Sequence, residues 1–81
     1  IFFEYILNDE VVSEASVVKC SDVWFIDNIE TSQQFRFNGY AKSIIEKIIE
    51  VSNLPVKAID IDPDAEVFWK HMSDGYEKLF Y

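Results

Sequence analysis

Hydrophobic and polar positions divide the chain into two regions with different periods. In the first region, residues 1–7, 11–19 and 23–30 are rich in aromatic and β-branched side chains, and short polar segments separate these runs. Such runs predict β-strands. Because strands joined by short turns pair with their neighbours along the chain, the first region predicts an antiparallel meander.

After residue 31 the apolar positions change to a helical period. Between Tyr40 and Ile49, apolar residues recur at spacings of three and four, with charged and polar residues between them. This pattern predicts an amphipathic helix over about residues 39–52. The segment Asn53-Leu54-Pro55 is expected to end it.

The remaining residues read as a strand, a helix and a strand. Residues 56–61 predict a short, mostly buried strand. Residues 62–64, Asp-Pro-Asp, are typical of a helix start, since Asp caps, Pro suits the first helical position and a carboxylate favours the positive end of the dipole. This helix is expected to run to about Met72 and to be broken by residues 73–75, Ser-Asp-Gly, before a last strand at residues 76–81.

The predicted order is therefore β-β-β-α-β-α-β, which is an α+β fold with helices on a mixed sheet. The length of 81 residues predicts a single domain over residues 1–81. The chain begins at Ile1 without an initiator Met, so either a leader was removed or the segment belongs to a longer product.

Charge and composition exclude several classes of function. Fifteen acidic residues against seven basic ones give a net charge of −8, whereas a phosphate backbone needs clustered Lys and Arg, so nucleic acid is not an expected partner. No apolar run approaches the length of a membrane span, so no membrane association is expected. The acidic balance either favours a cationic partner or only keeps the protein soluble.

The chain has one cysteine and one histidine, Cys20 and His71, far apart in sequence. A single cysteine excludes an internal disulfide. One cysteine and one histidine this far apart in sequence make Cys–His catalysis unexpected, and they are too few for a zinc site of thiol and imidazole ligands, so no metal is expected. A reducing, cytoplasmic location fits this composition best.

The segment Arg36-Phe37-Asn38-Gly39-Tyr40-Ala41 lies between the third strand and the first helix. A small-residue turn lets backbone N–H groups approach a ligand closely, and the helix behind it adds a partial positive charge. Together they predict an anion site suited to a phosphate or pyrophosphate. A Gly before a helix is more often an ordinary loop residue, so this segment alone does not identify the site.

The wider pattern resembles the GNAT superfamily of acyl-CoA-dependent N-acyltransferases. The pyrophosphate motif of that family is Gln or Arg, two residues, Gly, one residue, then Gly or Ala, and Arg36, Gly39 and Ala41 match it. Further along, the family often has Asn, Ala three residues later, an aromatic pair and Gly-Phe. The corresponding residues here are Asp62, Ala65, Phe68-Trp69 and Gly75-Tyr76. The resemblance covers about residues 11–81.

This resemblance implies that the chain uses acetyl-CoA as a co-substrate. Backbone N–H groups would cradle the pyrophosphate, Arg36 and Lys42 would supply charge, and pantetheine would lie between the third strand and residues 56–61. A main-chain N–H near Ile29 would polarise the thioester carbonyl. The residues assigned to CoA in this way are Ile29, Arg36, Phe37, Asn38, Gly39, Tyr40, Ala41 and Lys42.

The resemblance also implies a base and an acid for acyl transfer. Asp27 and Glu30 are the candidate bases; they differ in parity along the strand, so at most one faces the acceptor. Partial burial of Asp27 is expected to raise its pKa. Trp69 stands where many members carry the Tyr that protonates the leaving thiolate, so the proton has to come from water or from another tyrosine, Tyr76 being a weak candidate and Tyr40 another.

Two functions remain open on the sequence. The first is an acetyl-CoA-binding N-acetyltransferase acting on an amine, either a cationic small molecule or a Lys-bearing protein. The second is a non-catalytic protein-interaction module of the same fold, which Trp69 and the lack of the family's usual first strand and two helices favour. Strand 1–7 is apolar on both parities and is expected at a sheet edge, with residues 76–81 at the other edge, so a homodimer is expected.

Overall fold

A computed structural model describes every residue from Ile1 to Tyr81. The elements follow the predicted order β-β-β-α-β-α-β, which confirms the α+β class, and single 3₁₀ turns precede each helix. The strands and helices are β1 (Phe2–Leu7), β2 (Glu10–Lys19), β3 (Trp24–Thr31), α1 (Tyr40–Ser52), β4 (Val56–Ala58), α2 (Glu66–Gly75) and β5 (Leu79–Phe80), and the 3₁₀ turns are Gln33–Phe35 and Pro63–Ala65.

The five strands form one mixed sheet in the order β1-β2-β3-β4-β5. The first three pair antiparallel, as the meander predicted, whereas β4 runs parallel to both of its neighbours. Asn8 and Asp9 have φ values of 51° and 63° and join β1 to β2. Positive φ at both central residues is typical of the hairpin turns that match strand twist. Strands β1 and β5 are the sheet edges, as expected.

A single apolar core lies on one face of the sheet. Ile45 and Ile48 of α1 are 0% exposed and Trp69 of α2 is 4% exposed, and they share one cluster with inward-facing strand residues such as Val17 and Ile26. Because both helices enter the same cluster, both pack on the same face. Neither helix is long and apolar enough to pass through a bilayer.

The predicted cap at Asp62 is present, but it starts the 3₁₀ turn Pro63–Ala65; α2 itself begins at Glu66 without a side-chain cap, and it also ends later than predicted. The Asp62 carboxylate accepts a hydrogen bond of 3.0 Å from the Asp64 N–H, and Pro63 occupies the first position. The helix then continues through residues 73–75 to Gly75, so the expected break is wrong. Gly75 does not have a positive φ, and the Ser73 hydroxyl donates 3.0 Å to the Lys70 carbonyl, so these residues fit the last helical turn.

The last two strands are shorter than predicted. Strand β4 ends at Ala58 instead of residue 61, because Asp60 has a φ of 54° and turns the chain away. Strand β5 covers only two residues of the expected 76–81. The Leu79 N–H bonds the Tyr76 carbonyl at 3.1 Å, so the chain is still turning where the sequence predicted an extended strand.

Candidate active site

A cleft opens where β3 and β4 diverge. The two strands pair only from Trp24 and Val56 to Ile26 and Ala58, and one further bond joins the Ile59 N–H to the Ile26 carbonyl at 3.0 Å. Strand β3 then continues with no strand beside it on this side. The resulting cleft has a volume of about 1040 Å³ and extends from β3 to the start of both helices.

A β-bulge at Asp27 sets the direction of the unpaired part of β3. Ser16 is opposite Asn28 while Val17 is opposite Ile26, so Asp27 is an extra residue in β3. Main-chain groups alternate along a strand, and the Ser32 N–H bonds the Val12 carbonyl of β2 at 3.0 Å. The N–H groups of residues 29 and 31 therefore point away from β2, toward the cleft.

Consecutive backbone N–H groups without an acceptor line the next part of the cleft. The first helical bond of α1 joins the Ser43 N–H to the Gly39 carbonyl at 3.0 Å, and none of the N–H groups of residues 37–42 donates to another protein atom. No side chain caps the helix, and its first turn contains no carboxylate. Free donors at the positive end of a helix dipole favour an anion.

The turn before α1 is held in an unusual conformation. Gly39 has a φ of 80°, and Phe37 has a φ of 66°, which is rare for a bulky residue. The Asn38 amide donates to the carbonyls of Phe35 and Arg36 at 3.0 and 3.1 Å. These bonds fix the path of the turn while leaving its N–H groups free.

Two unpaired cations lie at the same place. The Arg36 Nε donates 3.2 Å to the Thr31 carbonyl of β3, and Lys42 is exposed in the first turn of α1. The one ion pair of the chain is Lys47–Glu50, so no carboxylate neutralises Arg36 or Lys42. The end of the cleft next to α1 therefore has two cations without ion-pair partners, while the carboxylates Glu14, Glu30, Asp62 and Asp64 also border the cleft.

The fold as a whole has a counterpart among solved structures. The aminoglycoside N-acetyltransferase AAC(6')-Iy in complex with CoA superposes with a TM-score of 0.70 and 19% identity, over 90% of this chain and 63% of that one. The chain has the GNAT fold. It spans less than two thirds of that enzyme. No family model matches the sequence, and no curated protein matches it.

Most of the residues assigned to CoA line the cleft of this GNAT fold. The residues that do so are Ile29, Arg36, Phe37, Gly39, Tyr40, Ala41 and Lys42. Asn38 does not line the cleft; its side-chain amide holds the turn through two hydrogen bonds to backbone carbonyls. Sequence reasoning did not find Phe35 and Asp64, which also border the cleft. The Phe35 ring packs edge-on to Tyr40 at 6.4 Å, and Tyr40 packs on Tyr5 at 4.6 Å between ring centroids.

The two candidate bases are in different places. Glu30 borders the cleft, whereas Asp27 does not. Asp27 is exposed at the bulge, so the expected partial burial is wrong, because the bulge turns its side chain out of the alternation on which that expectation rested. The geometry favours Glu30 over Asp27.

The tyrosines are also separated. Tyr40 borders the cleft, while Tyr76 lies in a smaller pocket with Lys42 and His71. Burial raises the pKa of Tyr76, and the nearby Glu46 carboxylate raises it further. Trp69 is 4% exposed and borders the cleft, so its indole belongs to the core and also forms part of the cleft wall.

Proposed function

We propose that this chain binds an acyl-CoA in the cleft and transfers its acyl group to an amine. The observation that carries the proposal is the run of free N–H groups at residues 37–42, flanked by the uncompensated charges of Arg36 and Lys42. Such a run suits a pyrophosphate. The CoA complex of the GNAT-fold neighbour supports the same ligand.

The opening between β3 and β4 suits the pantetheine arm. Its amide groups can pair with the unpaired edge of β3 as an added strand would, since extended ligands bind sheet edges through main-chain hydrogen bonds. The N–H of Ile29 faces this opening. It can therefore donate to the thioester oxygen, on which negative charge develops when the amine attacks.

Acyl transfer then requires one proton to leave the amine and one to reach the thiolate. Glu30, at the border of the cleft, is the better placed base, with Asp27 as the alternative. The amine nitrogen bonds to the acyl carbon, and the carbon–sulfur bond breaks. Indole is not a usable acid, so Trp69 does not protonate the sulfur; water or Tyr40 does, with Tyr76 the weaker candidate because it lies outside the cleft.

The acceptor that fits best is a cationic amine, either a small molecule or the Lys side chain of a protein. The net charge of −8 attracts positively charged molecules to the surface. Within the cleft, Arg36 and Lys42 favour the phosphates of CoA, while the carboxylates of Glu14 and Glu30 on the same cleft favour a cationic amine.

Isothermal titration with acetyl-CoA tests the proposal. The wild type should bind, and Gly39→Glu should abolish binding, because the substitution puts a side chain and a negative charge beside the free N–H groups. Asn53→Glu is the matched control: it puts the same side chain at another left-handed residue, at the far end of α1, which borders neither the cleft nor the smaller pocket that contains Lys42, and it should bind as the wild type does. No heat from the wild type at millimolar acetyl-CoA would overturn the proposal.

A non-catalytic acyl-CoA-binding module is the second candidate, because Trp69 stands where a Tyr acid would be needed. Release of free CoA thiol in the presence of an amine separates the two. Turnover, even slow, supports the transferase. Binding with no thiol release above the rate without protein supports the module.

A further inference from the structure

Phe37 is the most exposed large apolar residue of the chain. Its exposed fraction is 104%, against 80% for Val67, the next most exposed. The ring therefore adds nothing to the core. Two other aromatic residues that border the cleft are packed, since Phe35 lies edge-on to Tyr40 and Phe68 lies edge-on to Trp69. Packing does not explain why an aromatic side chain stands at position 37.

The backbone at Phe37 is also unfavourable for a bulky residue. Its φ of 66° lies in the left-handed region, where Gly, Asn and Asp are the usual residues. The two hydrogen bonds of the Asn38 amide to the carbonyls of Phe35 and Arg36 hold the turn on this path. Phe37 thus costs folding free energy and returns none through burial. Backbone strain of this kind is typical of binding sites and active sites.

Phe37 lies at the first position of the proposed pyrophosphate cradle. Its N–H begins the run of free donors at residues 37–42, and the residue borders the cleft. In an acyl-CoA the pyrophosphate is joined to pantetheine on one side and to adenosine on the other. Because the opening between β3 and β4 is assigned to pantetheine, adenosine has to leave the cradle over the surface. An exposed ring in the loop before α1 is within reach of a base held there.

We propose that the Phe37 ring stacks on the adenine of the bound acyl-CoA, so that this residue makes binding depend on the nucleotide. The inference rests on the proposed function and extends it to the nucleotide end of the ligand. Aromatic side chains bind bases through their π-faces. Such a contact needs no net charge, which suits a chain of charge −8. The acceptor amine is the wrong occupant, because the neighbouring Arg36 has no carboxylate partner and repels a cation.

Isothermal titration with acetyl-CoA, applied to two substitutions, tests the stacking. Phe37→Leu keeps an apolar side chain at a left-handed residue but removes the π-face, and it should weaken binding about fivefold or more. Phe37→Tyr keeps the π-face and should bind within about twofold of the wild type. Phe80→Leu is the matched control: it makes the same change at an exposed Phe of β5 that does not border the cleft, and it should leave affinity unchanged.

Proton NMR of the ligand gives a direct signature of the contact. A ring stacked on adenine should shift its H2 and H8 resonances upfield when acetyl-CoA binds the wild type, and Phe37→Leu should remove this shift. A shift that persists in Phe37→Leu would mean that another ring holds the base, and it would overturn the inference.

Phe37→Gly separates stacking from a role in folding. It removes the left-handed cost, so it should melt no lower than the wild type while binding acetyl-CoA as weakly as Phe37→Leu does. A melting temperature well below that of the wild type would assign the ring to folding and contradict the inference. Equal affinities of the wild type and Phe37→Leu would overturn this inference alone, whereas no heat from the wild type would overturn the proposed acyl-CoA binding as well.

Discussion

Gly39→Ala separates the conformational role of Gly39 from its place beside the ligand. Gly39 has a φ of 80° and a ψ of 11°, in the left-handed region, which costs an L-residue about 1–2 kcal/mol. A Cβ built there meets no heavy atom within 4 Å, so no steric cost adds to this. For a domain of this size, about 1–2 kcal/mol lowers the melting temperature by about 4–16 °C.

Gly39 lies within the run of free N–H groups, so the Cβ of Gly39→Ala would lie beside the proposed pyrophosphate. We therefore expect the acetyl-CoA affinity to fall about tenfold, which is about 1.4 kcal/mol. Asn53→Ala is the control: Asn53 has a φ of 51° at the far end of α1, about 20 Å away at 1.5 Å per residue. It should lower the melting temperature similarly and leave affinity unchanged. Thermal melts by circular dichroism and isothermal titration measure both quantities. An affinity for Gly39→Ala equal to that of the wild type would refute the close approach of the phosphates.

Two further predictions concern parts of the molecule outside the cleft. Because the pKa of Tyr76 is raised in the folded state, the folded protein keeps the phenol protonated to higher pH than the unfolded chain does. The free energy of unfolding should therefore be unaffected below about pH 10 and should fall as pH rises through the folded pKa. Glu46→Gln should reduce this alkaline loss in denaturant titrations, and an unchanged loss would contradict the coupling. Light scattering should give a dimer mass that Phe2→Lys, at the exposed β1 edge, converts to a monomer. If the mass of the variant does not change, β1 is not the interface.

Much of the fold could be predicted because local pattern and tertiary environment agree. The residues of α1 that the helical spacing assigned to one face, such as Ile44, Ile45 and Ile48, are buried in the core. The cap at Asp62 acts through its own neighbour, Asp64. Such features depend on residues close in sequence, and the pattern therefore shows them.

The ends of β4 and β5 could not be predicted from strand propensity, because the backbone turns at Asp60 and at Tyr76 before either apolar run is complete. The apolar, β-branched run at residues 56–61 favours a longer strand, yet the left-handed conformation at Asp60 ends it. The aromatic run at residues 76–81 likewise favours a strand, whereas Tyr76 packs against the core and starts a turn. Propensity alone does not report these constraints.

Residues for the candidate site could be proposed from the sequence, whereas the shape of the cleft could not. The motif from Arg36 to Ala41 lies at the cleft, apart from Asn38, and its role in anion binding stays a prediction. Alternation along β3 predicted opposite faces for Asp27 and Glu30, but a bulge interrupts that alternation. A bulge is one inserted residue seen only against its partner strand, so a single strand's sequence cannot show it.

The cleft itself follows from two small departures from regular structure. The bulge at Asp27 turns the main-chain groups of Ile29 to the side away from β2, and the turn at Asp60 removes β4 from that same side. Without the turn, β4 would continue alongside β3 and occupy its N–H groups; without the bulge, the groups facing the gap would belong to other residues. A proline at position 60 would prevent the left-handed conformation, since proline fixes φ near −65°. Asp60→Pro is therefore expected to disturb the opening while leaving the proposed cradle at residues 37–42 in place, because the opening lies in the sheet and the cradle lies at the start of α1.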